Sequence, residues 1–194
     1  EEARVVDGCV LPVQDGAGYW DVMRLNDYLL VCVADSSYND HYTLPIRSPE
    51  DLVSLRFVAA GGIGLHDAGP NAVRVEKGYA SVLTLPAGGD YDLHIHGRER
   101  LASLTLHLHA GHLARVMGME PDELPRALRD IDRPGQGFHH LGMRLTHGMQ
   151  AAVRDMARNL GEVIGELRAG AGALAVASAQ VSELSQGLSR GAGE

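Results

Sequence analysis

The sequence predicts a mainly β domain, a sandwich or small barrel, followed by short α-helices and one long C-terminal helix with a coiled-coil seam. Three observations predict it. Residues 1–109 break into short apolar or alternating runs separated by Gly, Pro, Asp and Ser turns, the pattern of many short strands. Residues 110–145 lose that alternation and carry helix-start chemistry. From Thr146 onward there is no proline, and Leu160, Leu167, Leu174, Val181 and Leu188 recur every seven residues. The expected organisation is a β-barrel domain over 1–109, a short helical connector over 110–145 and the long helix over 146–194.

In order along the chain, Leu29-Leu30-Val31-Cys32-Val33 is an apolar strand ended by Asp35-Ser36-Ser37, and Leu52 to Ala60 is another, ended by Gly61-Gly62. Gly61-Gly62-Ile63-Gly64 reads as a turn joining two β segments; it opens no helix and is no phosphate cradle. Val73-Arg74-Val75 alternates, as does Ala80 to Leu85, which stops at Pro86-Ala87-Gly88-Gly89. Tyr91 to His96 alternates again, turns at Gly97-Arg98-Glu99 and returns as Leu101 to His109. Gly111–Met117 and Pro121–Arg129 read as short helices, the second opened by Glu120-Pro121-Asp122-Glu123 with proline and acids in its first turn. Asp132-Arg133-Pro134-Gly135 is a loop.

The tail holds a heptad seam. Ile164, Ala171, Ser178 and Ser185 each fall four residues after a member of the Leu160, Leu167, Leu174, Val181, Leu188 series, which gives paired core positions over more than four repeats. Fully helical, residues 146–194 would extend roughly 70 Å. That stretch contains eight glycines, each costing up to about 1 kcal/mol relative to alanine in a helix. The helix therefore needs a partner along its seam, and a homodimer is expected.

Composition narrows the function. The chain has 194 residues, 45% hydrophobic content and only 5% aromatics, so aliphatics fill its core. The net charge is −8, and residues 1–109 alone hold 8 basic and 15 acidic side chains. That balance argues against nucleic acid and against anionic lipid as partners. The sequence contains no signal-peptide pattern and no membrane-length apolar run, so a cytoplasmic location is expected, and it reads as a piece cut from a longer protein. Cys9 and Cys32 each sit in an apolar stretch and read as buried, packed thiols.

Two resemblances rest on particular residues. Leu25-Asn26-Asp27-Tyr28-Leu29-Leu30-Val31, Leu55 to Gly61, Leu85-Pro86-Ala87-Gly88, Tyr91 to Arg100 and Leu145-Thr146-His147-Gly148-Met149-Gln150-Ala151-Ala152-Val153 resemble the N-terminal sensing domain of AraC-type regulators, in their pyochelin-regulator-like branch, over about residues 5–155. The resemblance implies a cupin-like, jelly-roll β-barrel that takes a small-molecule effector inside, followed by helices that dimerise. Residues 169–194 depart from a DNA-binding half, since Arg190 is their only basic side chain. The tail, about residues 156–194, resembles the start of the signalling helix of methyl-accepting chemotaxis receptors, most sharply over Leu184-Ser185-Gln186-Gly187-Leu188-Ser189-Arg190-Gly191-Ala192-Gly193-Glu194. That resemblance implies a soluble chemoreceptor-like transducer, acting on a chemotaxis kinase and adaptor proteins through a downstream region.

The expected site lies on polar groups that interrupt apolar strands, because such groups orient a ligand in a small pocket. Arg56 stands between Leu55 and Phe57 and is a candidate to bind a carboxylate; Trp20, with Tyr19, precedes the first clear strand and is a candidate to close over a ligand; His94 and His96 share a strand face. Gly88, His94, His96 and Glu99 resemble the first cupin metal motif, but two residues rather than three or four separate His96 from Glu99, and no second motif follows. A metal site at His94, His96 and Glu99, and with it a metal-dependent cupin enzyme, is thus the minor alternative, beside a half-exposed edge for His107, His109 and His112. No nucleophile elbow, phosphate loop or dinucleotide fingerprint appears. The expected function is ligand sensing without catalysis and without a cofactor, with the effector domain of an AraC-type regulator as the alternative to the chemoreceptor.

Overall fold

A computed structural model describes residues 7–11 (backbone only), 16–67, 69–135, 137–156, 158, 159, 162, 170 and 180. The chain divides into a unit of Glu1–Arg154 and a unit of Asp155–Glu194. In the first unit the strands are β1 Asp7–Leu11, β2 Gly16–Asn26, β3 Leu29–Tyr38, β4 Tyr42–Arg47, β5 Leu52–Ala60, β6 Gly62–Asp67, β7 Ala72–Glu76, β8 Tyr79–Leu85, β9 Asp90–Ile95, β10 Arg100–His109 and β11 His140–Arg144.

They form two antiparallel sheets, one in the order β1-β2-β3-β10-β5-β8-β11 and one in the order β4-β9-β6-β7. Several successive links between β3 and β10 cross from one sheet to the other, and the two inner quartets β3-β10-β5-β8 and β4-β9-β6-β7 are those of a jelly roll. The expected cupin-like β fold is therefore present. The crossings explain the turn chemistry. Gly61 has φ +70°, and a side chain there would meet the Arg100 carbonyl oxygen, so glycine makes the step from β5 to β6. The turn read over Gly61–Gly64 is shorter than expected: it ends at Gly61, and Gly62 onward is strand β6.

The core lies between the sheets. Ala34 and Val58 from the larger sheet meet Ile63, Leu65, Val75, Leu93 and Ile95 from the smaller one. The larger sheet is apolar on its outer face as well. There Leu108 packs with Leu113, Ala114 and Leu124, and Val53 and Val82 pack with Ile131. Those covering residues belong to α1 (Leu113–Val116), a 3-10 turn at Pro121–Glu123, the following Leu124, and α2 (Arg126–Ile131).

The stretch 110–145, expected to be helical, thus contains shorter helices than read and a strand. Glu120 and Glu123 close a capping box around Pro121. The turn stops at Leu124, which is extended (φ −60°, ψ 133°) ahead of Pro125, since a residue before proline is driven out of the helical region. β11 pairs with β8 from His140↔Leu83 to Arg144↔Tyr79. Tyr19 and Trp20, expected to precede the first strand, lie within β2.

Residues 147–154 are helical in the first unit; in the second, residues 155, 156, 158, 159, 162, 170 and 180 are helical. The seam residues Leu160, Ile164, Leu167, Ala171, Leu174, Ser178, Val181, Ser185 and Leu188 lie outside the described residues. Among the described residues no helix is long and apolar enough to cross a membrane.

Candidate functional site

A cavity of about 310 Å³ opens at one end of the barrel. Its wall takes Arg24 from β2, Leu30 from β3, Ile46 and Arg47 from β4, and Leu52 and Leu85 from β5 and β8; Tyr28, Glu50 and His109 stand at the rim, and His107 of β10 reaches it from within the sheet. Local hydrogen bonds fix the turns at this end. Asn26 Oδ1 accepts the Tyr28 backbone N–H at 3.0 Å, which turns β2 into β3. The Ser48 hydroxyl donates to the Glu50 carbonyl at 2.6 Å, and backbone bonds join Ser48 to Gly88 and Gly89, tying the β4–β5 link to the β8–β9 turn.

Below the cavity the register stacks inward-facing residues in rows across the larger sheet. Arg24, Leu30, His107, Ser54 and Leu83 form one row; Val22, Cys32, Thr105, Arg56 and Ser81 form the next; Trp20, Ala34, Ser103 and Val58 form the third. The barrel interior therefore carries a polar column within an apolar lining. Arg56 is 4% exposed, and its Nε donates to Thr105 Oγ1 at 3.3 Å. Among the described residues no carboxylate forms an ion pair with it. Burial pushes its guanidinium down to about 10. Burial first, and then the charge of Arg56, push His107 down to about 3, so its imidazole is neutral at pH 7. Ser54 Oγ, Ser81 Oγ and His107 Nδ1 are buried without a hydrogen-bond partner.

The cavity rim is joined to the connector. Tyr28 stacks on His112 with ring centroids 4.9 Å apart, and the Arg115 guanidinium of α1 lies 4.9 Å from the Tyr28 centroid. His109 Nε2 lies 3.1 Å from Glu50 Oε2. Asp132, after α2, accepts the backbone N–H groups of Gly111 and Leu113, both at 3.0 Å, and so clasps the start of the connector to its end.

Of the residues singled out from sequence, Arg56 and Trp20 lie inside the barrel in adjacent rows. Trp20 is core, with Nε1 donating to Ser36 Oγ at 2.9 Å. His94 and His96 do share a face, but it is the outer face of the smaller sheet, since Tyr91, Leu93 and Ile95 fill the inner one. There His94 sits against His66 at 4.3 Å and contacts Thr43 Oγ1 through Nδ1 at 3.0 Å, while His96 meets His41 edge-on at 5.5 Å. Glu99 is in the β9–β10 turn, and among the described residues no group of three or more His, Cys, Asp or Glu side chains is arranged to hold a metal ion. Sequence reasoning missed His107, Ser54, Ser81 and Tyr28. The signal was present: Ser103, Thr105 and His107 alternate with Leu104, Leu106 and Leu108, and Ser54 and Arg56 with Val53 and Leu55.

A family described as the regulatory protein PchR N-terminal domain matches residues 16–191, a span that takes in the tail from residue 156 as well as the barrel. No curated protein sequence matches significantly. Among solved structures, the chain is similar to the protein YhaK from Escherichia coli (16% identity, 61% of this chain and 44% of that one, TM-score 0.44). It is similar to GK1651 from Geobacillus kaustophilus (13% identity, 73% of this chain and 51% of that one, TM-score 0.43). It is also similar to the AraC-like transcriptional activator CuxR (16% identity, 53% of this chain and 36% of that one, TM-score 0.39). The chain thus spans under two thirds of the length of each.

Proposed function

Because the chain belongs to the family of the regulatory protein PchR N-terminal domain, we propose that it is the effector-sensing domain of an AraC-type transcription regulator, acting by binding and not by catalysis. The observation that carries this reading is the 310 Å³ cavity at the barrel end, whose rim residue Tyr28 is stacked on the first residues of the connector. A pocket of that size takes one small molecule. An occupant can alter the output only if it favours one of two arrangements of the connector and the tail. The Tyr28–His112–Arg115 stack is the element placed to feel it. From there the signal passes through the connector to the helix that starts at residue 147 and to a dimeric seam in the tail.

The family match over the tail supports this regulator over the chemoreceptor, since residues 156–191 need no second family to account for them. Two measurements test the proposal. Small-molecule binding to the 194-residue chain should protect backbone amides of residues 110–116 from hydrogen exchange; binding without such protection refutes the route. The full-length protein carrying this domain should shift a specific operator fragment in an effector-dependent way. Effector-dependent change in a chemotaxis kinase, with no operator bound, would favour the receptor instead.

A further inference from the structure

We propose that the barrel interior is an oxyanion site, in which the anionic head of the effector seats on the Arg56 guanidinium and takes hydrogen bonds from Ser54, Ser81 and His107. This deepens the effector-binding reading and rests on it. The first ground is charge. Arg56 is buried, and among the described residues it has a threonine hydroxyl as a partner but no carboxylate in an ion pair. The buried carboxylates of the described chain lie elsewhere: Asp21 faces away from the Trp20 and Val22 side of β2, and Asp132 is held by Gly111 and Leu113. A buried cation without a counter-charge is costly, and cost of that kind is retained where a ligand supplies the missing charge.

The second ground is hydrogen bonding. Buried polar atoms are almost always satisfied, and orphans need an explanation. Here three orphans, Ser54 Oγ, Ser81 Oγ and His107 Nδ1, belong to the Arg56 row and the row next to it. Two hydroxyls and a neutral imidazole can all donate to an oxyanion that Arg56 neutralises. The third ground is access. His107 lines the cavity and pairs with Ser54 in the row beside Arg56, so an effector that enters the cavity meets the column at His107. A neutral ligand would leave the guanidinium charge uncompensated, and a metal cation would add to it.

The test uses the 194-residue chain at constant ionic strength. Benzoate and hexanoate are compared with benzamide and hexanamide, and with phenyl phosphate, by thermal shift and calorimetry. Acids should raise Tm and the matched amides should not; whether phenyl phosphate or benzoate binds tighter assigns phosphate or carboxylate. Arg56→Met should abolish the response to acids and raise the Tm of the unliganded protein by about 3 °C or more, because it removes an unpaired buried charge. Amides that stabilise as well as acids, with the effect kept in Arg56→Met, overturn the oxyanion site and leave the effector reading intact. If no compound binds, the unliganded Arg56→Met decides. A rise in Tm upholds the site, and a fall makes Arg56 a structural group and overturns it. Leu30→Trp, which fills the cavity, tests the effector reading separately: binding undiminished there refutes the cavity as the place of entry.

Discussion

Arg56 and His107 are neighbours whose protonation the barrel controls in one direction, against the charged form. Burial holds the Arg56 guanidinium down to about 10, so it stays charged at pH 7 at a cost to folding stability. His107 is held down to about 3, so at mildly acid pH the unfolded chain binds a proton that the folded chain refuses. This contribution is therefore intact above the ordinary histidine value of about 6.5 and is lost as pH falls toward 3, at up to roughly 1.4 kcal/mol per pH unit. Urea unfolding at pH 7, 5 and 4 should show the parent losing more stability than His107→Gln over that range; equal losses would mean that His107 is not desolvated. Arg56 was legible in the sequence because a cation interrupts an apolar strand. The alternation around His107 was legible too, but not which of its two faces lay inside, because the leucine face looks like the core. In β10 both faces are covered, Leu108 by Leu113 and Leu124 and the polar face by the opposite sheet, so apolarity did not tell inside from outside.

At the scale of elements, the connector is held by a few contacts that α1 and α2, four and six residues long, could not replace by helix propensity. Asp132→Ala removes the acceptor for two backbone N–H groups at once and should destabilise the barrel unit by about 1–3 kcal/mol in chemical denaturation. Tyr28→Ala removes a stacked ring and a cation–π partner, each worth about 0.5–1.5 kcal/mol. Hydrogen exchange at residues 111–116 should quicken, and effector binding should no longer slow it; exchange equal to the parent would show that the stack does not couple rim to connector. The elements themselves were unevenly legible. β5 and β10 announced themselves by apolar content bounded by turns. β6 was hidden because Gly62 and Gly64 look like a turn, whereas Gly64 sits beside His94 in the ladder. β11 was hidden because His140-Leu141-Gly142-Met143-Arg144 has no strand pattern of its own; it is a strand because β8 offers it an edge. Pairing partners far apart in sequence decide such cases, and no local window contains them.

At the scale of the molecule, a sandwich or small barrel was legible as many short strands with turn signals, the jelly roll only through the family resemblance, and the sheet order was not, since the order depends on which turns cross between sheets. The tail is legible in the opposite sense: its seven-residue recurrence is a sequence fact whose structural counterpart falls outside the described residues. The seam makes a definite expectation. Leu160, Leu167, Leu174, Val181 and Leu188 are large apolar side chains on one stripe of any helix formed there, and burying each against a partner contributes roughly 1.5–3 kcal/mol. The eight glycines over residues 146–194 oppose helix formation by up to about 1 kcal/mol each. The two sums are of similar size, so a seam formed there should be weakly stabilised and its association concentration-dependent. A coupling of about 1–3 kcal/mol from an occupied barrel is then enough to move the balance. Sedimentation of the 194-residue chain should show a monomer–dimer equilibrium that an effector shifts, and Leu167→Asp with Leu174→Asp should leave it monomeric with the barrel's thermal response to ligand unchanged. A parent that stays monomeric at high concentration, with and without ligand, would remove the seam from the signalling route.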